Sequence, residues 1–140
     1  MLMMQDTSTD VMCYYDGGMG FSDYKGLFSP DNGYPYRNYY TFMMYDGLYK
    51  LENQVRVTNE ERLLFAMAAK NGKKAELVLA NPTGEEILVI PDLKGFTYTE
   101  LQILRIDEEN RYTLTGEELQ KGCILLPPFG CAEIKLWDLE

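Results

Sequence analysis

"RLLFAMAAKNGKKAELVLANPTGEEILVIP", residues 62–91, carries the reading of the fold. Two apolar runs, 62–70 and 75–81, flank "NGKK". Asn71-Gly72 is a tight-hairpin signal, because Asn and Gly tolerate the positive φ that a two-residue turn between twisted antiparallel strands requires. "PTGE" (82–85) then turns the chain into a further apolar segment, "EILVIP" (86–91). Three strands in succession are therefore predicted.

The same grammar extends to both sides. Upstream, "QVRVT" (54–58) alternates. Downstream, "YTELQILRID" (98–107) alternates, and "EEN" turns it into "RYTLT" (111–115). "GCILLP" (122–127) and "CAEIKLWDL" (131–139) complete the set, separated by Pro128, Phe129 and Gly130, which predicts a closing hairpin. About eight short strands with a turn every 8–12 residues predict a mainly β fold, an antiparallel β-sandwich or barrel. Val78, Ala80, Ile87, Val89, Ile103, Ile124, Leu126, Ile134 and Leu136 fall on the phases that one buried sheet face demands. Glu86, Gln102, Glu133 and Lys135 take the opposite phase.

The first fifty residues follow a different period. "DVMCYYD" (10–16) reads as one strand, followed by the Gly-, Ser- and Asp-rich loop 17–33. "YPYRNYYTFMMYDGLYKL" (34–51) reads as a helix, with Pro35 in its first turn after the Asn32-Gly33 turn signal. Tyr36, Tyr40, Met43, Met44, Gly47, Leu48 and Leu51 recur mostly at steps of three and four, giving a broad apolar stripe. The expected organisation is a residual βα segment, 1–51, before a β-sandwich domain, 52–140. Left wet, about seven apolar side chains would cost on the order of 10–20 kcal/mol, as much as the whole stability of a domain. The sandwich, a second copy of the chain or a separate partner domain must cover them.

The totals bound the function. A chain of 140 residues with 46% hydrophobic residues suits one ordinary core. The net charge of −9 opposes nucleic acid and anionic membrane surfaces. The N-terminal "MLMMQDTSTD" lacks the basic start and apolar run of a signal peptide, so a cytoplasmic location is expected. The three cysteines, Cys13, Cys123 and Cys131, show no CxxC spacing, and histidine is absent, so no zinc site is expected. They read as buried small hydrophobes in a reducing compartment, with Cys123 and Cys131 on adjacent strands.

No catalytic, cofactor or metal residue emerges. Glu60-Glu61, Glu85-Glu86, Asp107-Glu108-Glu109 and Glu117-Glu118 sit at turns, where solvated charge normally lies. Ser8, Ser22 and Ser29 lack a histidine to activate them. "DGGMG" (16–20) lacks the spacing and lysine of a phosphate loop, and Asp16, Asp23 and Asp31 lack the frame of a calcium loop. Trp137 on the last strand suits packing better than a sugar platform. Tyr14, Tyr15, Phe21 and Tyr24 cluster where aromatics either stack on a sugar or close a core. Phe65, Tyr98, Tyr112 and Trp137 share no obvious phase, so a flat aromatic row for carbohydrate is not expected.

"MCYYDGGMGFSDYKGLFSPDNGYPYRNYYTFMMYDGLYKL" (12–51) resembles the end of a glycoside hydrolase (β/α)₈ barrel, with a last strand ending in a "YYD"-like run and a loop into the final helix. "LLFAMAAKNGKKAELVLANPTGEE" (63–86) and "ILLPPFGCAEIKLWDL" (124–139) resemble the first and closing hairpins of the β-sandwich that follows such barrels. The resemblance is to β-xylosidase-like enzymes of glycoside hydrolase family 39, with arabinofuranosidase-type enzymes next. It implies a strand–loop–helix remnant of the barrel in front of the sandwich, with Met1 near the start of the last barrel strand. It further implies a parent enzyme with a two-carboxylate retaining mechanism, whose two glutamates match nothing here. Tyr14, Tyr15 and Asp16 would lie at the rim of the sugar pocket of such an enzyme. The expected role is a non-catalytic accessory domain that packs on and stabilises a glycosidase barrel, or self-associates through the 34–51 helix. A carbohydrate-binding module and a self-associating stand-alone sandwich are the alternatives.

Overall fold

The computed structural model describes Leu2 and residues 7–14, 26–59, 63–93, 96–114 and 122–137. One helix, α1 (Arg37–Lys50), precedes eight strands: β1 (Asn53–Val55), β2 (Phe65–Asn71), β3 (Lys74–Ala80), β4 (Ile87–Val89), β5 (Glu100–Ile106), β6 (Arg111–Leu114), β7 (Ile124–Leu126) and β8 (Cys131–Trp137). Six of them form one antiparallel sheet in the order β1-β2-β3-β8-β5-β6, and β4 pairs with β7 in a separate two-stranded ribbon. The mainly β, antiparallel, sandwich-like architecture expected from the strand grammar is therefore present.

The hairpin that decides the fold forms as expected, shifted by one residue. Asn71 pairs with Lys74, so the central residues of the turn are Gly72 and Lys73. Gly72 adopts φ +55°, the positive value needed at the first central position of a II′ turn.

The six-stranded sheet is covered on both faces, by different elements. Ala75, Leu77 and Leu79 of β3, Ile103 of β5, and Ala132, Ile134 and Leu136 of β8 pack with Ile124 and Leu126 of the ribbon. On the other face, Ala69, Val78 and Ile106 pack with Met44, Leu48 and Leu51 from α1 and its C-terminus. Val78 thus faces the helix and not the ribbon, whereas the sequence suggests one common buried face. The alternation fails on β3 because both its faces are inside, which leaves a continuous apolar run.

Two chain corners join the sheet to the ribbon, and one residue pins both. Asn81 is 2% exposed and follows β3. Its Nδ2 donates to the carbonyls of Glu85 (2.7 Å) and Pro127 (2.9 Å), and its Oδ1 accepts from the N–H of Thr83 (2.9 Å). The Phe129 N–H closes the pair of corners by donating to the Thr83 carbonyl at 3.0 Å. The segment 127–130 is therefore a crossing between sheets, not the predicted hairpin: β7 pairs with β4, and β8 lies between β3 and β5. Pro127 and Pro128 have no N–H for a ladder. Arg105, 7% exposed on β5, ties the layers from within by donating Nη1 to the Leu125 carbonyl at 2.5 Å.

The N-terminal segment departs most from expectation. Residues 10–14 lie in no strand, and Tyr15 and Asp16 lie outside the described residues. The helix starts at Arg37, with Tyr36 extended at its N-cap and no side-chain cap. Pro35 is held before the helix, paired with Phe28 in an isolated bridge, while the Tyr36 N–H donates to the Leu27 carbonyl at 2.8 Å. The helix closes with Glu52 in the left-handed region at φ +66°, its N–H donating to the Tyr49 carbonyl at 3.1 Å.

The apolar stripe finds its cover in the chain's own sheet. Met44 and Leu48 are 1% and 3% exposed, and Leu51 is buried beside them. Tyr40 stacks on Tyr112 of β6, with ring centroids 5.8 Å apart and planes at 17°. Only Met43 of the seven stripe residues faces solvent, while Tyr34 and Tyr49 are exposed beside it.

Candidate functional site

The site grows from a residue that alternation places on a polar face. On β8, Ala132, Ile134 and Leu136 point to the ribbon, so Cys131, Glu133, Lys135 and Trp137 point the other way. In an open sheet that face would be wet. Here α1 lies across it, and Glu133 is 0% exposed at the middle of the molecule. Its strand neighbours in register are Val78 on β3 and Leu104 on β5, and Glu76 on β3 is level with Lys135.

Tyr112 reaches the same point through a bulge. Ile106 pairs with Arg111 and Arg105 with Thr113, leaving Tyr112 as the extra residue of β6. It sits at φ +61°, a conformation that costs a bulky side chain about 1–3 kcal/mol and that bulges usually give to glycine. The bulge turns the phenol under the helix, where its OH donates to Glu133 Oε2 at 2.7 Å. Lys135 Nζ lies 3.4 Å from Glu133 Oε2 and 3.8 Å from Glu76 Oε1. Its ammonium also stands 5.9 Å from the Tyr112 ring centroid.

Gly47 makes the helix fit over this cluster. A Cβ at that position would lie 2.3 Å from Glu76 Oε2 and 3.0 Å from Glu133 Oε1. Those two oxygens are buried and have no hydrogen-bond partner. One ammonium thus serves two carboxylates, and the helix above offers only a glycine. Burial pushes the Glu133 carboxyl up to about 7, against the Tyr112 hydrogen bond and Lys135, which pull it down. Burial, reinforced by the bond to Glu133, raises the Tyr112 phenol as well. A cleft of about 470 Å³ opens at the rim, lined among others by Gly47, Glu76, Tyr112, Lys135, Lys50 and Lys74.

The carboxylate nearest to acid–base readiness, Glu133, is sealed behind the helix. The turn carboxylates are where the sequence suggests: Glu85 and Glu86 are exposed, and Asp107 is occupied with its own turn, accepting from the N–H groups of Glu109 (2.9 Å) and Asn110 (2.8 Å). Glu60, Glu61, Glu117, Glu118, Ser22, the 16–20 glycine run, Asp23, Phe21 and Tyr24 lie outside the described residues. Tyr14 lies against the helix, its hydroxyl bonded to Asn38 Nδ2 at 2.5 Å and its ring edge-on to Phe42 at 5.6 Å. Phe65 and Trp137 are half-buried, and Tyr112 is tied to Glu133 and Tyr40.

The cysteines form no disulfide, and their settings differ from expectation. Cys13 is exposed, Cys123 and Cys131 are partly buried, and the last two stand on strands of different sheets or beside them. Burial raises the Cys131 thiol, which packs at the edge of the helix-side core.

A six-stranded antiparallel sheet with a ribbon on one face and a helix on the other defines the class: a mainly β, β-sandwich-like domain. No protein-family model matches the sequence, and no curated protein matches it. Among solved structures, the chain is similar to the glycoside hydrolase family 30 subfamily 8 xylanase Xyn30A from Clostridium acetobutylicum, at 14% identity and a TM-score of 0.67. It is also similar to a family 30 endoxylanase from Clostridium papyrosolvens C71, at 12% identity and a TM-score of 0.63. Each likeness covers 80% of this chain and 30% of the xylanase, so the chain spans less than a third of its neighbours' length. Both neighbours belong to family 30, and neither belongs to the family 39 that the sequence resembles.

Proposed function

We propose that the chain is a non-catalytic accessory domain of a glycoside hydrolase, which packs against the catalytic barrel and stabilises it. One observation carries this reading: four-fifths of the chain superposes on less than a third of two xylanases. A fold similar to part of a larger enzyme, with no open carboxylate pair among the described residues, suits support better than chemistry. The exposed Tyr34, Met43 and Tyr49 on and beside α1 supply an apolar contact for the barrel, or for a second copy of the chain. A family 30 parent fits the fold likeness better than the family 39 parent suggested by the sequence.

The test mixes the purified chain with a xylanase barrel from which the equivalent β domain has been removed. Co-elution and a raised melting temperature of the barrel are expected, with no release of reducing sugar from xylan by the chain alone. Turnover by the chain alone, abolished by a single Glu or Asp substitution, would sink the proposal. So would a barrel whose stability ignores the added chain.

A further inference from the structure

We propose that Glu133 holds a proton beneath Gly47, directed at Glu76, and that loss of this proton loosens α1 from the sheet, so that helix docking depends on pH. The geometry comes first. Glu133 Oε2 is satisfied by the Tyr112 hydroxyl and faces Lys135, but Glu133 Oε1 has no partner. Glu76 Oε2 has none either, and both oxygens crowd the same glycine. Two buried acceptors with no donor are costly. A proton on Glu133 Oε1, directed at Glu76 Oε2, turns both into one hydrogen-bonded pair.

The surrounding charge favours the same state. Lys135 from β8 is the cation facing both carboxylates, and Tyr112 from β6 contributes a neutral donor. From β2 the neighbour of Glu76 in register is Ala69, and from α1 the group in contact is Gly47. Asp46 and Lys50 of α1 form an ion pair with each other at the cleft rim, where Lys74 and Asn71 also stand. Lys50 feels Glu76 from the rim, but it is exposed and paired with Asp46. Two ionised carboxylates would thus share Lys135 beneath the helix, and the two oxygens that crowd Gly47 would have no donor.

The direction of the pH dependence follows. The Glu133 carboxyl is raised from the ordinary 4.5 to about 7. Its contribution is then complete below about 4.5 and disappears as pH rises through about 7. α1 is the element packed directly over this charge, through Gly47 and the Tyr40–Tyr112 stack, so release begins there.

Unfolding of the intact chain by urea between pH 5 and 8.5, compared with Glu133→Gln, tests the idea. Glutamine keeps the shape and donates an N–H where the proton stood. Relative to the variant, the wild-type unfolding constant is expected to rise by up to about tenfold per pH unit from pH 5 to about 7 and then to level off, the signature of one proton. Amide exchange in 37–50, corrected for its intrinsic pH dependence, should accelerate before that of β3 and β8, and only in the wild type. Parallel pH profiles of the two proteins overturn the Glu133 proton. Helix amides that open only together with the sheet overturn the undocking. Should Glu133→Gln not fold, infrared titration of the wild type decides. A carboxylic-acid carbonyl band lost near pH 7 supports the proposal, and its absence at pH 5.5 refutes it.

Discussion

At the scale of single residues, Gly47 and Asn81 contribute in opposite ways. Gly47 is needed for what it lacks. A methyl group there meets Glu76 Oε2 at 2.3 Å and Glu133 Oε1 at 3.0 Å, an overpacking that costs about 1–3 kcal/mol. Alanine returns about 1 kcal/mol of helix propensity, so Gly47→Ala is expected to destabilise by about 1 kcal/mol net. The sign should reverse when Glu76 is shortened to Ala, because the 2.3 Å clash disappears, only the looser 3.0 Å approach to Glu133 Oε1 is left, and the propensity remains. A double-mutant cycle followed by urea denaturation reads this directly. Asn81 is needed for what it holds. Asn81→Ala strips the Thr83 N–H of its acceptor and removes one donor each from the Glu85 and Pro127 carbonyls, which keep Thr83 Oγ1 and the Gly130 N–H, and a loss of about 2–3 kcal/mol is expected. It should appear as a lower urea midpoint at unchanged slope.

At the scale of elements, the helix and the β6 bulge meet over β8. The helix has a cap of extended backbone and no side-chain N-cap, so its own propensity does not hold it in place. Its hold comes from Met44, Leu48 and Leu51 against Ala69, Val78 and Ile106. Leu48→Ala is therefore expected to cost about 2–4 kcal/mol, whereas Met43→Ala, on the exposed side, should cost under about 0.5 kcal/mol. Thermal unfolding of the two variants side by side checks this asymmetry. Equal losses would mean that the outward face is buried in solution, as a dimer through α1 would require. The bulge adds a second local prediction. Tyr112→Gly relieves the backbone at φ +61° but strips Glu133 Oε2 of its donor and Tyr40 of its stacking partner. The losses outweigh the relief, and a net destabilisation of about 1–3 kcal/mol is expected by the same measurement.

At the scale of the whole molecule, the chain is one sheet with two different lids. The ribbon lid is apolar and pinned by Asn81 and Arg105, which makes it part of the core. The helix lid buries Met44 and Leu48 and rests partly on a buried charge cluster, which makes it the lid that conditions can move. The accessory role and the pH-dependent lid are separate claims. A barrel that binds the chain equally at pH 6 and pH 8 leaves the first standing and speaks only to whether α1 takes part in the contact.

Local chemistry made much of this legible. Gly72 supplies the positive φ of its turn whatever lies around it, and the alternation of β5 and β8 marks Ile103, Ile134 and Leu136 as inward residues. The sequence by itself therefore determined that this chain forms antiparallel strands and one amphipathic helix, because turns and period-two patterns depend on neighbours along the chain. It could not determine which strands are central or what covers each face. Glu133 reads as a solvent residue until α1 is laid across β8. Tyr112 reads as an ordinary strand residue until the ladder slips by one. Pro127 to Gly130 read as a hairpin until β7 pairs with β4 instead. Only the tertiary structure decided these, because burial and pairing partner are properties of residues far apart in sequence, and a carboxylate becomes unusual only when a distant glycine closes over it.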